Sequence, residues 1–195
     1  MPTRIGVVFT LKVSLKEIDP PVWRLIEVPA EITLLRLHET IQTAMPWFDY
    51  HLHAFTIDSQ EYGDPDPDFD VGEVVDERGK RLGALVTEVG AVFDYAYDFG
   101  DGWHHDIELV SMGIRQPGSE YPRVIDGRRA CPPEDVGGPD GYADFLEALR
   151  GRRSRRRTEL LEWVGGDFDP EAFDLATTNE ALAITRAPWD RSTRR

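Results

Sequence analysis

Nine consecutive residues, Tyr97-Asp98-Phe99-Gly100-Asp101-Gly102-Trp103-His104-His105, gather two carboxylates, two imidazoles, two glycines and an indole. A carboxylate beside an imidazole is the raw material of acid–base chemistry, because His titrates near neutral pH and an acid can fix its tautomer. The flanking residues say where these groups sit. Phe93, Tyr95, Tyr97 and Phe99 alternate with Asp94, Ala96 and Asp98; past the turn, Trp103, His105, Ile107 and Leu109 alternate with His104, Asp106 and Glu108. Period-2 patterning on both sides of Asp101-Gly102 predicts a β-hairpin. The pattern also separates the histidines. His104 falls on a solvated acidic face, and His105 on an apolar one, where it either does chemistry or donates to a carbonyl or carboxylate in the core.

Two further segments carry the same residue types: Cys131-Pro132-Pro133-Glu134-Asp135 and Trp47-Phe48-Asp49-Tyr50-His51-Leu52-His53-Ala54-Phe55. If the three converge, His51, Asp98, Asp101, Trp103, His105, Cys131, Glu134 and Asp135 surround one polar cleft. Imidazole, thiolate and carboxylate suit Zn²⁺ or another divalent metal, and the same set supplies acid–base pairs. No Cys-x-x-Cys or His-Glu-x-x-His spacing supports a metal, however, and His51-x-His53 has no third ligand close in sequence. Each group also has a purely architectural reading. Asp101-Gly102 is turn chemistry, and Asp98 can accept backbone N–H groups across that turn. Cys131 can be a small buried residue. Glu134 and Asp135 can complement a helix start after Pro133, and the tryptophans can be core.

The elements that must position these groups are legible in the hydrophobic spacing. Ile5 to Leu15 alternates as a strand, and Val22 to Val28 forms a second after Pro20-Pro21. Thr33 caps a helix carrying Leu34, Leu37, Ile41 and Ala44, which Pro46 stops. A strand follows from His51 to Ile57. Residues 58–79, acid-rich and bearing Pro65 and Pro67, read as an exposed loop. A short helix fits 79–89. After Cys131 the pattern is helical, through Tyr142, Phe145, Leu146 and Leu149, then Leu160, Leu161 and Val164, then 172–184, with a loose tail over 186–195. Strands first and helices last predict an α+β domain: a mostly antiparallel sheet with helices packed on one face and a helical C-terminal part.

At 195 residues and 41% apolar content, a single domain spanning 1–195 has core enough to fold. A net charge of −14 makes coating nucleic acid an improbable main task. A lone cysteine fits a reducing compartment, and the expected location is the cytoplasm, with no membrane contact. Asp98-Phe99-Gly100 lacks every companion motif of a kinase. Asp64, Asp66, Asp68 and Asp70 alternate like a calcium loop, but Val71 stands where that loop needs Gly. No phosphate-binding Gly-rich loop or Gly-x-Ser-x-Gly elbow is present.

Five motifs in order, Pro21-Val22-Trp23-Arg24, His51-Leu52-His53-Ala54-Phe55, Tyr97-Asp98-Phe99-Gly100-Asp101-Gly102-Trp103, Cys131-Pro132-Pro133-Glu134-Asp135 and Phe168-Asp169-Pro170-Glu171, resemble the plasmid pRiA4b ORF-3-like family across nearly the whole chain. The resemblance implies an α+β fold and an association with plasmids or other mobile elements; it brings no assigned activity. Some relatives carry a resolvase-like label, but no His here has Arg three residues on, as a tyrosine recombinase needs. The connection 150–157 departs from the family's acidic and His-containing pattern. It carries Arg150, Arg152, Arg153, Arg155, Arg156 and Arg157, either a patch for nucleic acid or an acidic partner, or a solvated helix connection. The expected function is a cytoplasmic binding or accessory module for a protein or small molecule. The alternatives are a metal-assisted hydrolase in the same cleft and nucleic-acid binding through the arginines. An enzyme brings the cleft side chains to within about 3 Å of one another with perturbed pKa values; a binding module shows an exposed apolar or basic patch instead.

Overall fold

Eight strands form one sheet in the order β5-β4-β3-β6-β7-β1-β2-β8. They are β1 (Val7–Leu15), β2 (Trp23–Pro29), β3 (His53–Ile57), β4 (Gln60–Gly63), β5 (Val75–Asp76), β6 (Val92–Tyr97), β7 (Trp103–Ile114) and β8 (Arg123–Arg128). Every pairing is antiparallel except β4 with β5. Among the described residues, five α-helices complete the α+β fold: α1 (Leu34–Ala44), α2 (Leu82–Leu85), α3 (Gly138–Arg150), α4 (Arg155–Trp163) and α5 (Leu175–Ser192). This computed structural model describes residues 6–65 and 74–192, with side chains through Arg186.

The alternation seen in the sequence is the alternation of burial. Phe9, Leu11, Val13 and Leu15 of β1, Phe93, Tyr95 and Tyr97 of β6, and Trp103, His105, Ile107 and Leu109 of β7 all point into one core. The opposite face of these strands is solvated. There Lys16 Nζ meets Asp94 at 2.9 Å and Asp106 at 3.0 Å, and His104 Nδ1 lies 2.9 Å from Asp94. Asp94 is the first cause that raises the Lys16 pKa, ahead of the opposing effect of burial. The register places Tyr95 opposite His105 and Tyr97 opposite both Trp103 and His53, so aromatic and imidazole rings form one continuous buried row.

Thr33 Oγ1 accepts from Arg36 N, as a helix-capping threonine should. Helix α1 then buries Leu34, Leu37 and Ile41 against the sheet, and His38 and Gln42 with them. At its C-terminal end the buried Arg24 guanidinium donates to Ala44 O at 3.0 Å and to Arg128 O at 2.9 Å, stacking over Phe173. This satisfies a helix-end carbonyl that water cannot reach. Helix α5 lies along α1 and β8: Asn179 donates to Val124 O and accepts from Val124 N.

Three features differ from the sequence expectation. Residues 58–79 are not one exposed loop, because β4 and β5 pair within it and Glu77 is buried. Asp66, Asp68 and Asp70 lie outside the described residues. Strand β8 carries a single fully buried side chain, Val124, and sits at the sheet edge, so it has almost no hydrophobic pattern to read. Helix α5 continues to Ser192, past residue 186 where a loose tail was expected.

Candidate functional site

The three chemistry-bearing segments meet at the end of the sheet where β6 turns into β7. Trp47 Nε1 donates to Pro132 O at 2.9 Å, and Phe48 N donates to Glu134 Oε2 at 2.7 Å. The other carboxylate oxygen of Glu134 accepts a short hydrogen bond from the Tyr97 hydroxyl, which itself accepts from Tyr50 N. Burial and the neighbouring Glu134 carboxylate together push the Tyr97 phenol well above its usual pKa. Asp98 N donates to Leu52 O at 2.9 Å. Asp101 Oδ2 accepts from Gly137 N at 3.0 Å, tying the hairpin to the loop before α3. Gly138 is required there. Its φ is +69°, and a Cβ would stand 2.2 Å from Asp101 O.

Within this corner His51, Asp98 and Asp135 converge. His51 Nε2 lies 3.1 Å from Asp135 Oδ1 and 3.6 Å from Asp98 Oδ2. Both aspartates hold left-handed backbone, at φ +54° and +59°, a conformation Asp tolerates better than most residues and one found at functional sites. Asp98 fixes its own carboxylate by accepting from Gly100 N and Asp101 N through Oδ1, which leaves Oδ2 to face His51.

Of the remaining expected site residues, His105 and Trp103 sit in the core and Cys131 in the cleft wall. His105 has no exposed surface, and its Nδ1–H donates to Tyr95 O at 3.1 Å. Burial lowers its pKa to about 4, so the ring is neutral. Trp103 is core, packed at 6.0 Å on Trp47. Cys131 is a largely buried part of the cleft wall, between Met45 and Arg24, and burial raises its thiol to about 11, against the opposing pull of the Arg24 charge. Half of the arginine run has local work. Arg155 pairs with Glu159 at 2.7 Å, Arg156 approaches Asp144 at 3.6 Å, and Arg157 donates to Leu149 O. Ser154 caps α4 between them.

A second polar centre escaped the sequence reading. His38 and His53 stack face to face, ring centroids 3.4 Å apart and nearly parallel. His38 bonds Tyr95 Oη through Nδ1 and Asp49 Oδ1 through Nε2, both at 2.8 Å. His53 Nε2 lies 3.0 Å and 3.1 Å from the two oxygens of the buried Glu77. The bond to His38 is the first cause that lowers the Asp49 pKa. The available signal was a polar pair, His38 and Gln42, four residues apart on the apolar face of α1; nothing in the chain around Glu77 announced its burial.

The cleft itself has a volume of about 570 Å³. Met45, Trp47, Pro132, Pro133 and Phe168 line it, with Phe48, Tyr50 and Trp163 exposed at its edge and Glu134 and Asp135 along one side. Phe48 and Tyr50 stack at 5.6 Å.

Residues 7–177 match the family described as plasmid pRiA4b ORF-3-like protein. The chain belongs to that family. Uncharacterized protein y4hQ of Sinorhizobium fredii (strain NBRC 101917 / NGR234) is 40% identical over 193 residues, 98% of each chain. The crystal structure of MM3350, a protein of unknown function from Methanosarcina mazei Go1, superposes with a TM-score of 0.80 at 38% identity, covering 88% of this chain and 97% of that one. The fold thus recurs in MM3350, and neither relative's name states an activity. No helix among the described residues is long and apolar enough to cross a membrane.

Proposed function

We propose that the chain is a binding module whose cleft seats a bulky apolar side chain of a positively charged partner segment. The observation that carries this is the aromatic edge. Phe48 and Tyr50 are 66% and 77% exposed yet stack on each other beside the cleft, and Trp163 lines it at 49% exposure. Large aromatics left in water beside a concave, apolar-walled space are the anchors that binding surfaces use, and the volume lies within the usual range of roughly 300–1,000 Å³ for ligand sites. Charge selects the partner. The charged residues lining the cleft are Glu134 and Asp135, and the whole chain carries −14, so a Lys- or Arg-rich segment is steered toward it. The protonated, buried Cys131 fits a reducing compartment such as the cytoplasm, and the family's plasmid-derived name favours a role alongside mobile elements.

The hydrolase alternative has less support. Glu134 is committed to Tyr97 and Phe48, His105 is sealed under the sheet, and Cys131 is held as a thiol. These are the groups a general base or nucleophile would have come from. The test is fluorescence anisotropy with a labelled Lys/Arg-rich peptide bearing one Trp. Binding weakened at least about tenfold by Trp163→Ala or Tyr50→Ala supports the reading. Equal affinity for a Glu-rich peptide, or indifference to both substitutions, overturns it.

A further inference from the structure

His51 poses a specific problem. Its side chain is half-buried, but the Nε2 atom is out of reach of water and makes no hydrogen bond among the described residues. Two carboxylate oxygens nevertheless stand 3.1 Å and 3.6 Å away. Neither contact is a hydrogen bond, so proximity alone does not satisfy the nitrogen. Ligands that share an ion stand in this relation. With metal–ligand bonds of about 2.0–2.1 Å, neighbouring donor atoms in tetrahedral or octahedral sites are roughly 2.9–3.4 Å apart and all point at the ion, not at each other.

We propose that His51 Nε2, Asp98 Oδ2 and Asp135 Oδ1 form a binding site for one divalent transition-metal ion. One imidazole and two carboxylates suit Zn²⁺ first, with Mn²⁺ and Co²⁺ as competitors. The outer contacts are those of a ligating group. Asp98 Oδ1 is held by the amides of Gly100 and Asp101, which orients the carboxylate toward His51. Asp135 is 67% exposed at the side chain, so the site is open on one side, and a water or a donor from a bound molecule completes the coordination. The three ligands come from three segments: the stretch before β3, the turn after β6 and the loop before α3. An ion there cross-links the corner from which the cleft is built.

The other histidine cluster does not compete. His38 and His53 are parallel and stacked, so their in-plane lone pairs cannot converge on one ion, and three of their ring nitrogens already have partners in Tyr95, Asp49 and Glu77.

The ion site shares Asp135 with the cleft wall but does not rest on the peptide reading, and its test uses the ion alone. Chelator-stripped protein is titrated with ZnCl₂ by calorimetry, and thermal unfolding is followed with and without the ion. The expected result is one ion bound per chain and a rise in Tm that chelator reverses. Asp135→Asn and His51→Gln each lower the affinity at least about tenfold, whereas His53→Gln leaves it unchanged. Asn tolerates the left-handed backbone of position 135, and the residue is exposed, so that variant stays folded even if His51→Gln does not. No saturable binding to the stripped wild-type protein, or binding that survives Asp135→Asn with unaltered affinity, overturns the proposal.

Discussion

Acidification tests most sharply what His105 does. Its imidazole is wholly buried between Tyr95 and Trp47, and burial holds its pKa at about 4, well below the ordinary 6.5. The folded state therefore refuses a proton that the unfolded chain accepts. The stabilising contribution is complete above pH 6.5 and is lost as pH falls toward 4. The gap of about 2.5 pH units, at about 1.4 kcal/mol each, makes the neutral form worth roughly 3–4 kcal/mol, most of which is gone by roughly pH 4.5. The perturbation is His105→Leu, which removes the titration along with the hydrogen bond to Tyr95 O. Urea unfolding at pH 7 and near pH 4.5 gives the loss of stability on acidification for each protein. Other carboxylates contribute to both and cancel in the difference. The wild type should lose about 2–3 kcal/mol more than the variant. Equal losses would show that the ring is hydrated or charged in the native state, and would return His105 to the list of reactive groups.

Other outcomes follow from the same contacts. Cys131, its thiol raised to about 11, should ignore a disulfide-exchange reagent at pH 8 while the protein is folded and react promptly in urea; rapid native reaction would contradict its burial. Tyr97→Phe removes the donor to Glu134 and should cost about 1.5–3 kcal/mol in urea unfolding, with the 47–52 segment exchanging its amide hydrogens faster. Glu77→Ala strips the buried partner of His53 and should cost about 3 kcal/mol; a loss under about 1 kcal/mol would mean the pair is solvated. The arginine connection should give no retained binding to a random DNA duplex at physiological salt. Micromolar binding that disappears when Arg152 and Arg153 become Gln would instead make it a nucleic-acid surface.

Where one face of an element is buried and the other is wet, the sequence could be read directly. The β6–β7 hairpin, β1 and α1 with its Thr33 cap follow from alternation, spacing and capping, and so does the solvated placement of His104. Legibility failed where pattern is weak. Edge strand β8 buries only Val124 fully, and β4 and β5 are too short to show a period inside an acidic stretch. The polar corner was half visible. Residue types drew attention to His51, Asp98 and Asp135, but residue type cannot distinguish a cleft residue from its support. Asp101 proves to be a clasp on Gly137, Glu134 a brace for Tyr97, and His105 and Cys131 core. The stacked His38–His53 pair was hidden because His38 on α1 and the buried Glu77 reach His53 from other segments that only the fold brings together.

The central claim is that the corner joining the three segments is a binding cleft edged by aromatics. The most direct measurement follows the tryptophan indole N–H signals in a two-dimensional NMR titration with the cationic, Trp-bearing peptide, the probe being unlabelled. Trp163, exposed at the cleft, and Trp47, whose Nε1 bonds Pro132 O on its floor, should shift saturably together, while the buried Trp103 stays in place. Saturation that moves Trp23 on the far strand and leaves Trp163 and Trp47 still would contradict the account.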